Sequence, residues 1–281
     1  MMKRKIRLND VISKALIYLL LISISIVVIT PVIWIVGSSF NPGTSLYSST
    51  LIPKNPTFQH YIDLFTETEY LTWYLNTLKI ATFNMIISVC ITSITAYAFA
   101  RFKFKGKKPA MMTVLLLQMF PSILTMVAVY IILMKLNLLN THAGLILVYA
   151  SGQIPYNTWL VKGYFGGIPM SLDEAAKIDG ASNMTIFTKI ILPLARPIIV
   201  LVALTNFMGP WFDFIFPRLI LRHQEKWTLA LGLFNWVTEM QNEQFTRFAA
   251  GAILVAVPIT LLFVFLQKHI VEGLSSGATK G

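Results

Sequence analysis

Long apolar stretches alternate with short polar ones along this chain. A charge-free run covers residues 15–40, more than the ~20 residues a helix needs to cross a bilayer. Five further apolar stretches follow at about 77–100, 109–134, 143–164, 197–220 and 248–267. This pattern predicts an all-α integral membrane protein with six transmembrane helices. Its expected parts are a short N-terminal segment 1–14, a six-span domain 15–267 and a polar tail 268–281. A cleaved signal peptide is the competing reading of the first run. The run is too long for one, carries Pro31, Trp34 and Gly37, and lacks a small-residue cleavage site.

Composition agrees with that pattern. Hydrophobic residues make up 56% and charged residues 12%, against about 25% charged in soluble domains. A soluble globule is therefore excluded. The single cysteine, Cys90, permits no intrachain disulfide and sits in an apolar run as a small packing residue.

The net charge of +11 raises nucleic acid as a partner, and its distribution answers the question. Six spans put both termini on one side. The segments on that side, taken with Lys162 at the inner end of the fourth stretch, hold sixteen of the 23 basic residues and five of the 12 acidic ones, a net of +11. The outer segments and the rest of the spans are neutral in sum. The whole excess thus follows the positive-inside rule, with both termini in the cytoplasm. The outer segments 41–75 and 222–247 carry Tyr61, Trp73, Tyr74, Trp227 and Trp236, aromatic residues that favour a membrane interface.

One inner loop, 165–196, has a pattern of its own. Ser171 is a suitable N-cap, and Asp173 and Glu174 fall in the first turn, where the helix dipole favours acids. Leu172, Ala175, Ala176 and Ile178 give an apolar face, and Gly180 allows a sharp turn. A second short helix is expected at about 183–190, with Met184, Ile186 and Phe187. Pro193 and Pro197 mark the return to the membrane. The result is an amphipathic helix–turn–helix whose apolar face lacks a partner within the loop. Two readings stand: a solvated connection, or a helix that docks in a groove on another protein.

No catalytic constellation is visible. His60, His142, His223 and His269 lie near loops without metal-ligand spacing, and no phosphate-binding G-x-x-x-x-G-K-[ST] motif occurs. If transport uses ATP, another subunit binds it. The polar residues inside spans are Asn84, Gln118, Gln153, Asn206 and Asp213. They either line a translocation path or bond one helix to another. Asp213 stands out, because Gly209-Pro210 and Pro217 loosen the helix around it. Trp211, Phe212 and Phe214 beside it either stack on a sugar ring or face lipid.

The inner loop also carries a motif. Glu174-Ala-Ala, three residues, Gly180, nine residues and Ile190-x-Leu192-Pro193 resemble the EAA signature of permease subunits in bacterial binding-protein-dependent ABC importers. Asp179, Phe187 and the tail from Gly273 to Gly281 are similar to the carbohydrate branch, of maltose or maltodextrin type. The segments 227–234 and 248–260 look similar too. The resemblance implies a type I ABC importer permease fold in the bacterial inner membrane, without enzymatic activity, cofactor or metal of its own. ATP and magnesium would sit on partner subunits. Leu172, Glu174, Ala175, Ala176, Asp179 and Gly180 would couple the chain to a cytoplasmic ATPase dimer. Ser275, Ser276, Gly277 and Lys280 of the tail would touch that dimer as well. The outer segment 234–244 would meet an extracytoplasmic sugar-binding protein, and a second, homologous permease would complete the pathway. Two rival functions remain: a permease for a non-sugar solute in the same class, and a carrier working alone.

Overall fold

The computed structural model describes residues 8–44, 51–119, 121–238 and 244–278. Among them the chain is helical, with no strand. In order, the helices are α1 (Leu8–Ser39), α2 (Gln59–Thr66), α3 (Tyr70–Arg101), α4 (Lys107–Leu117), α5 (Ser122–Lys135) and α6 (His142–Gly167). The inner loop holds α7 (Met170–Ile178), α8 (Asn183–Ile186), a π-helical turn (Phe187–Ile191) and α9 (Leu192–Leu194). Then come α10 (Arg196–Phe212), α11 (Ile215–Ile220), α12 (Leu229–Thr238) and α13 (Phe245–Ala278).

Three helical segments are long and apolar enough to cross a bilayer alone: Ile12–Ser39, Tyr70–Arg101 and Phe245–Lys268. A fourth candidate is the pair Asn183–Leu194 and Arg196–Phe212, bent by 81°. The stretch expected as one span at 109–134 is instead two helices. They part around Gln118–Pro121, where Pro121 has ψ 126° and supplies no N–H to continue α4. The stretch at 143–164 is the single 26-residue helix α6, in which Ser151, Gln153, Asn157 and Thr158 dilute the apolar character.

The chain forms two compact units, Met1–Glu67 with Trp236–Val255, and Thr68–Asn235 with Ala256–Gly281. In the first, α1 shows apolar side chains on every side, Val27 being 72% exposed, as a lipid-facing helix does. Phe40 packs on Phe58 and Tyr61, and the Ser39 and Tyr61 hydroxyls are 2.8 Å apart. Arg247 pairs with both Asp63 and Glu67, at 3.4 and 2.8 Å.

The second unit is built on α3, which packs along α6 and α10. This helix starts at Tyr70, so Trp73 and Tyr74 are helical residues and not part of a surface loop as expected. Trp73 is 1% exposed, and its indole N–H donates to the Gln224 carbonyl at 2.9 Å. Gly232 of α12 lies against the same ring; a Cβ there would fall 2.1 Å from Trp73 Cε3. The segment expected as an outer loop at 222–247 is therefore partly helical, and Asn76 holds its start by donating to the Glu225 and Trp227 carbonyls. The expected polar tail also continues α13 as far as Ala278.

Candidate functional site

The inner loop occupies one end of the second unit. After α6, Ile168 and Pro169 are extended (ψ 128° and 133°), and this turns the chain into α7. The helix begins two residues before the expected start. Pro169 occupies the N-cap position, no side chain caps it, and Ser171 is an exposed first-turn residue. Asp173, expected to serve the helix dipole, is turned inward. Its Oδ1 lies 3.2 Å from Nε of Arg101, and both side chains are only 4% exposed. Arg101 also donates through Nη2 to the Ile168 carbonyl at 3.1 Å.

The spacing of Asp173 and Ala176, three residues apart, defines the inner face of α7. Ala176 is 9% exposed and packs in the core. Leu172 (40%) and Ile178 (86%) are exposed, as are Glu174, Ala175 and Asp179. Only part of the predicted apolar face thus lacks a partner in the chain.

The end of α7 is a Schellman turn. The Ala181 N–H bonds the Ala176 carbonyl at 2.9 Å, and the Gly180 N–H bonds that of Lys177 at 3.0 Å. Gly180 takes φ +80° there, and a Cβ on it would meet nothing within 4 Å. Ser182 then caps α8 by accepting from the Thr185 N–H at 3.2 Å.

The second short helix is a wedge. Ile186, Phe187 and Ile191 are 0%, 7% and 0% exposed and pack among Tyr97, Val161, Phe165 and Ile198. The Phe187 ring lies 4.9 Å from that of Tyr97. Pro193 has no N–H for the Lys189 carbonyl, and the π-helical turn just before it takes up the mismatch, with the Leu192 N–H reaching the Phe187 carbonyl. Thus α8 and its continuation join the membrane core while α7 keeps its outer face free.

Among the polar span residues, Asn84 and Asn206 are fully buried, and Asn84 donates to the Asn206 carbonyl at 2.7 Å, tying α3 to α10. Gln118 is exposed at the break after α4. Gln153 is half-buried, and its Nε2 lies against Gly209. Asp213 interrupts the helix where the loosened sequence suggested. Its Oδ1 accepts the Ile215 N–H at 2.8 Å and its Oδ2 the Tyr149 hydroxyl at 2.9 Å. Of the aromatic residues beside it, Phe212 is 65% exposed and Trp211 is buried, with an indole N–H that has no hydrogen-bond partner. Phe214 stacks on Phe234 at 3.9 Å. Ser275, Ser276 and Gly277 lie in the last turns of α13, whereas Lys280 and residues 239–243 of the outer segment fall outside the described residues. Sequence reasoning missed Arg101, which read as one member of a basic turn.

The family described as "Binding-protein-dependent transport system inner membrane component" matches residues 88–276. The galactooligosaccharides transport system permease protein GanQ of Bacillus subtilis is 48% identical over 267 residues, 94% of each chain. The maltodextrin transport system permease protein MalD of Streptococcus pneumoniae is 43% identical over the full length of both. Among solved structures, a bacterial ABC transporter involved in the import of the acidic polysaccharide alginate superposes with a TM-score of 0.83 at 23% identity, covering 95% of this chain and 100% of that one. This last likeness bears on the fold alone: the two chains share one all-α architecture.

Proposed function

The chain belongs to the family of binding-protein-dependent transport system inner membrane components, and we propose that it is the translocation subunit of an ATP-driven oligosaccharide importer. The observation that carries the proposal is the two-faced α7. Leu172, Glu174, Ala175, Ile178 and Asp179 are exposed, while Asp173 and Ala176 fasten the helix to the membrane core. A short helix with a free apolar face and a fixed back is suited to a groove on another protein. That partner is a cytoplasmic ATPase dimer. Glu174 makes a polar contact in its cleft, and Gly180 gives the turn that lets α7 protrude. The inner-side excess of basic residues supports placing α7 and both termini in the cytoplasm of a bacterial cell.

The mechanism is alternating access. ATP binding closes the ATPase pair, the docked α7 moves with it, and this chain rotates against a second, homologous permease to open outward. An extracytoplasmic binding protein delivers the sugar to the outer segments, and hydrolysis resets the pair. This chain contributes no ATP site and holds no cofactor; ATP and magnesium belong to the ATPase. An oligosaccharide of maltodextrin or galactooligosaccharide size is the substrate favoured by the relatives' names. Gln153, Asp213 and Trp211, beside the break after α10, are the residues we assign to the path. The Asp213 carboxylate is engaged by Tyr149 and the Ile215 N–H, an arrangement that suits a fixed wall better than the moving proton site of a carrier working alone.

The test is uptake of labelled maltodextrin and galactooligosaccharide by cells carrying Glu174→Ala or Gly180→Val, a β-branched residue that the left-handed turn excludes. Both variants should insert normally and lose import. Import at the parental rate with either change would refute the coupling role.

A further inference from the structure

Two breaks separate α7 from the helices on either side. Ile168 and Pro169 are extended before it, and the left-handed Gly180 follows it. A helix of nine residues joined only through such breaks would swing when pushed, and the bundle would not follow. One side chain opposes that swing. Arg101, the last residue of α3, reaches Asp173 in the first turn of α7 at 3.2 Å and the Ile168 carbonyl at 3.1 Å. It therefore grips both the α6–α7 bend and the start of α7. In turn, α3 packs along α6 and α10. Ala176, the other inward residue of α7, offers a methyl contact without direction.

A buried ion pair is weak evidence for stability, because apolar residues of similar volume often stabilise as well. What the pair adds is a fixed geometry. Both side chains are 4% exposed, and neither Nε of Arg101 nor Oδ2 of Asp173 has a hydrogen-bond partner, so the two meet as a buried ion pair while Nη2 of Arg101 supplies the directional bond, to the Ile168 carbonyl. We infer that Arg101 and Asp173 are positioning residues of transport: they make α7 and the adjoining end of α3 one rigid body, so that displacement of α7 is delivered to α3 directly. The inference rests on reading α7 as the ATPase-docking helix. It goes beyond that reading, since docking itself requires only the outer face of α7.

The experiment uses the assembled importer, purified with its ATPase, second permease and binding protein and reconstituted in lipid. Cys90 is replaced by Ser, and spin labels are placed at Ile94→Cys on α3 and Lys177→Cys on α7, both exposed positions away from the docking residues. The α3–α7 distance is measured without nucleotide and with ATP plus vanadate, and sugar imported per ATP is measured in parallel. The expected parental result is one distance, the same in both states. In Arg101→Met/Asp173→Leu, which keeps the site filled, the distance should shift or broaden with ATP while the ATPase still co-elutes. Import per ATP should fall about 5–150-fold, the usual range of coupling between sites. The milder Asp173→Asn should show the same direction with a smaller loss. A parental distance that changes between states would overturn the inference, as would unchanged distance and import per ATP in either variant. Failure of the ATPase to co-elute with the parental chain would instead overturn the docking reading, and the inference with it.

Discussion

Replacing Gly180 tests the turn after α7 through backbone conformation alone. The residue sits at φ +80°, and an added Cβ would meet nothing within 4 Å. Steric crowding therefore contributes nothing, and the cost of Gly180→Ala is that of holding an L-residue in the left-handed region, roughly 1–2 kcal/mol. That corresponds to a factor of about 5–30 in the population of the formed turn. Gly180→Asn should cost less despite its larger side chain, because Asn tolerates this conformation. The direct assay is amide exchange in the purified chain, read at Gly180 and Ala181, whose N–H groups bond the Lys177 and Ala176 carbonyls. Protection should fall in the order Gly, Asn, Ala. The reasoning is refuted if Ala matches Gly, or if loss follows side-chain size so that Asn is worse than Ala.

Two further substitutions follow from the same geometry. Gly232→Ala drives a Cβ to 2.1 Å from a carbon of the buried Trp73 ring, which its indole N–H fixes to the Gln224 carbonyl; overpacking of this kind costs about 1–3 kcal/mol, so thermal unfolding should occur at lower temperature and tryptophan emission should change. Asp213→Asn keeps one acceptor oxygen near Tyr149 and the Ile215 N–H but removes the charge; import should persist within a few-fold, whereas Asp213→Ala, which leaves the Tyr149 hydroxyl without its partner, should lower stability by about 1–3 kcal/mol. Complete loss of import in the Asn variant would speak for a titrating carboxylate.

The positions of the long helices were legible because apolar length and charge-free runs are local properties. Residues 15–39 of the first stretch and all of 248–267 fall inside α1 and α13. The turn at Gly180 was legible for the same reason, since one residue type fits the conformation. Pro121 breaks the third stretch, yet a proline alone does not distinguish a kink from two helices. The inner face of the loop was harder to read. Asp173 looked like a dipole-satisfying acid because its partner lies on α3, far away in sequence, and only packing brings Arg101 to it. Ile186 and Phe187 read as part of an apolar face without a partner because their core is assembled from α3, α6 and α10. Periodicity marks which residues share a face, whereas tertiary packing decides what covers it.

The central claim is that the exposed face of α7 docks on an ATPase, and Leu172→Asp/Ile178→Asp tests it most directly. Both side chains point away from the chain's own core, at 40% and 86% exposed, so the double variant should insert and fold as the parent does. Purified through a tag on this chain, the parent should bring down an ATPase and a second permease, and the variant the permease alone, with import abolished. Retention of the ATPase and parental import by the double variant would contradict the account.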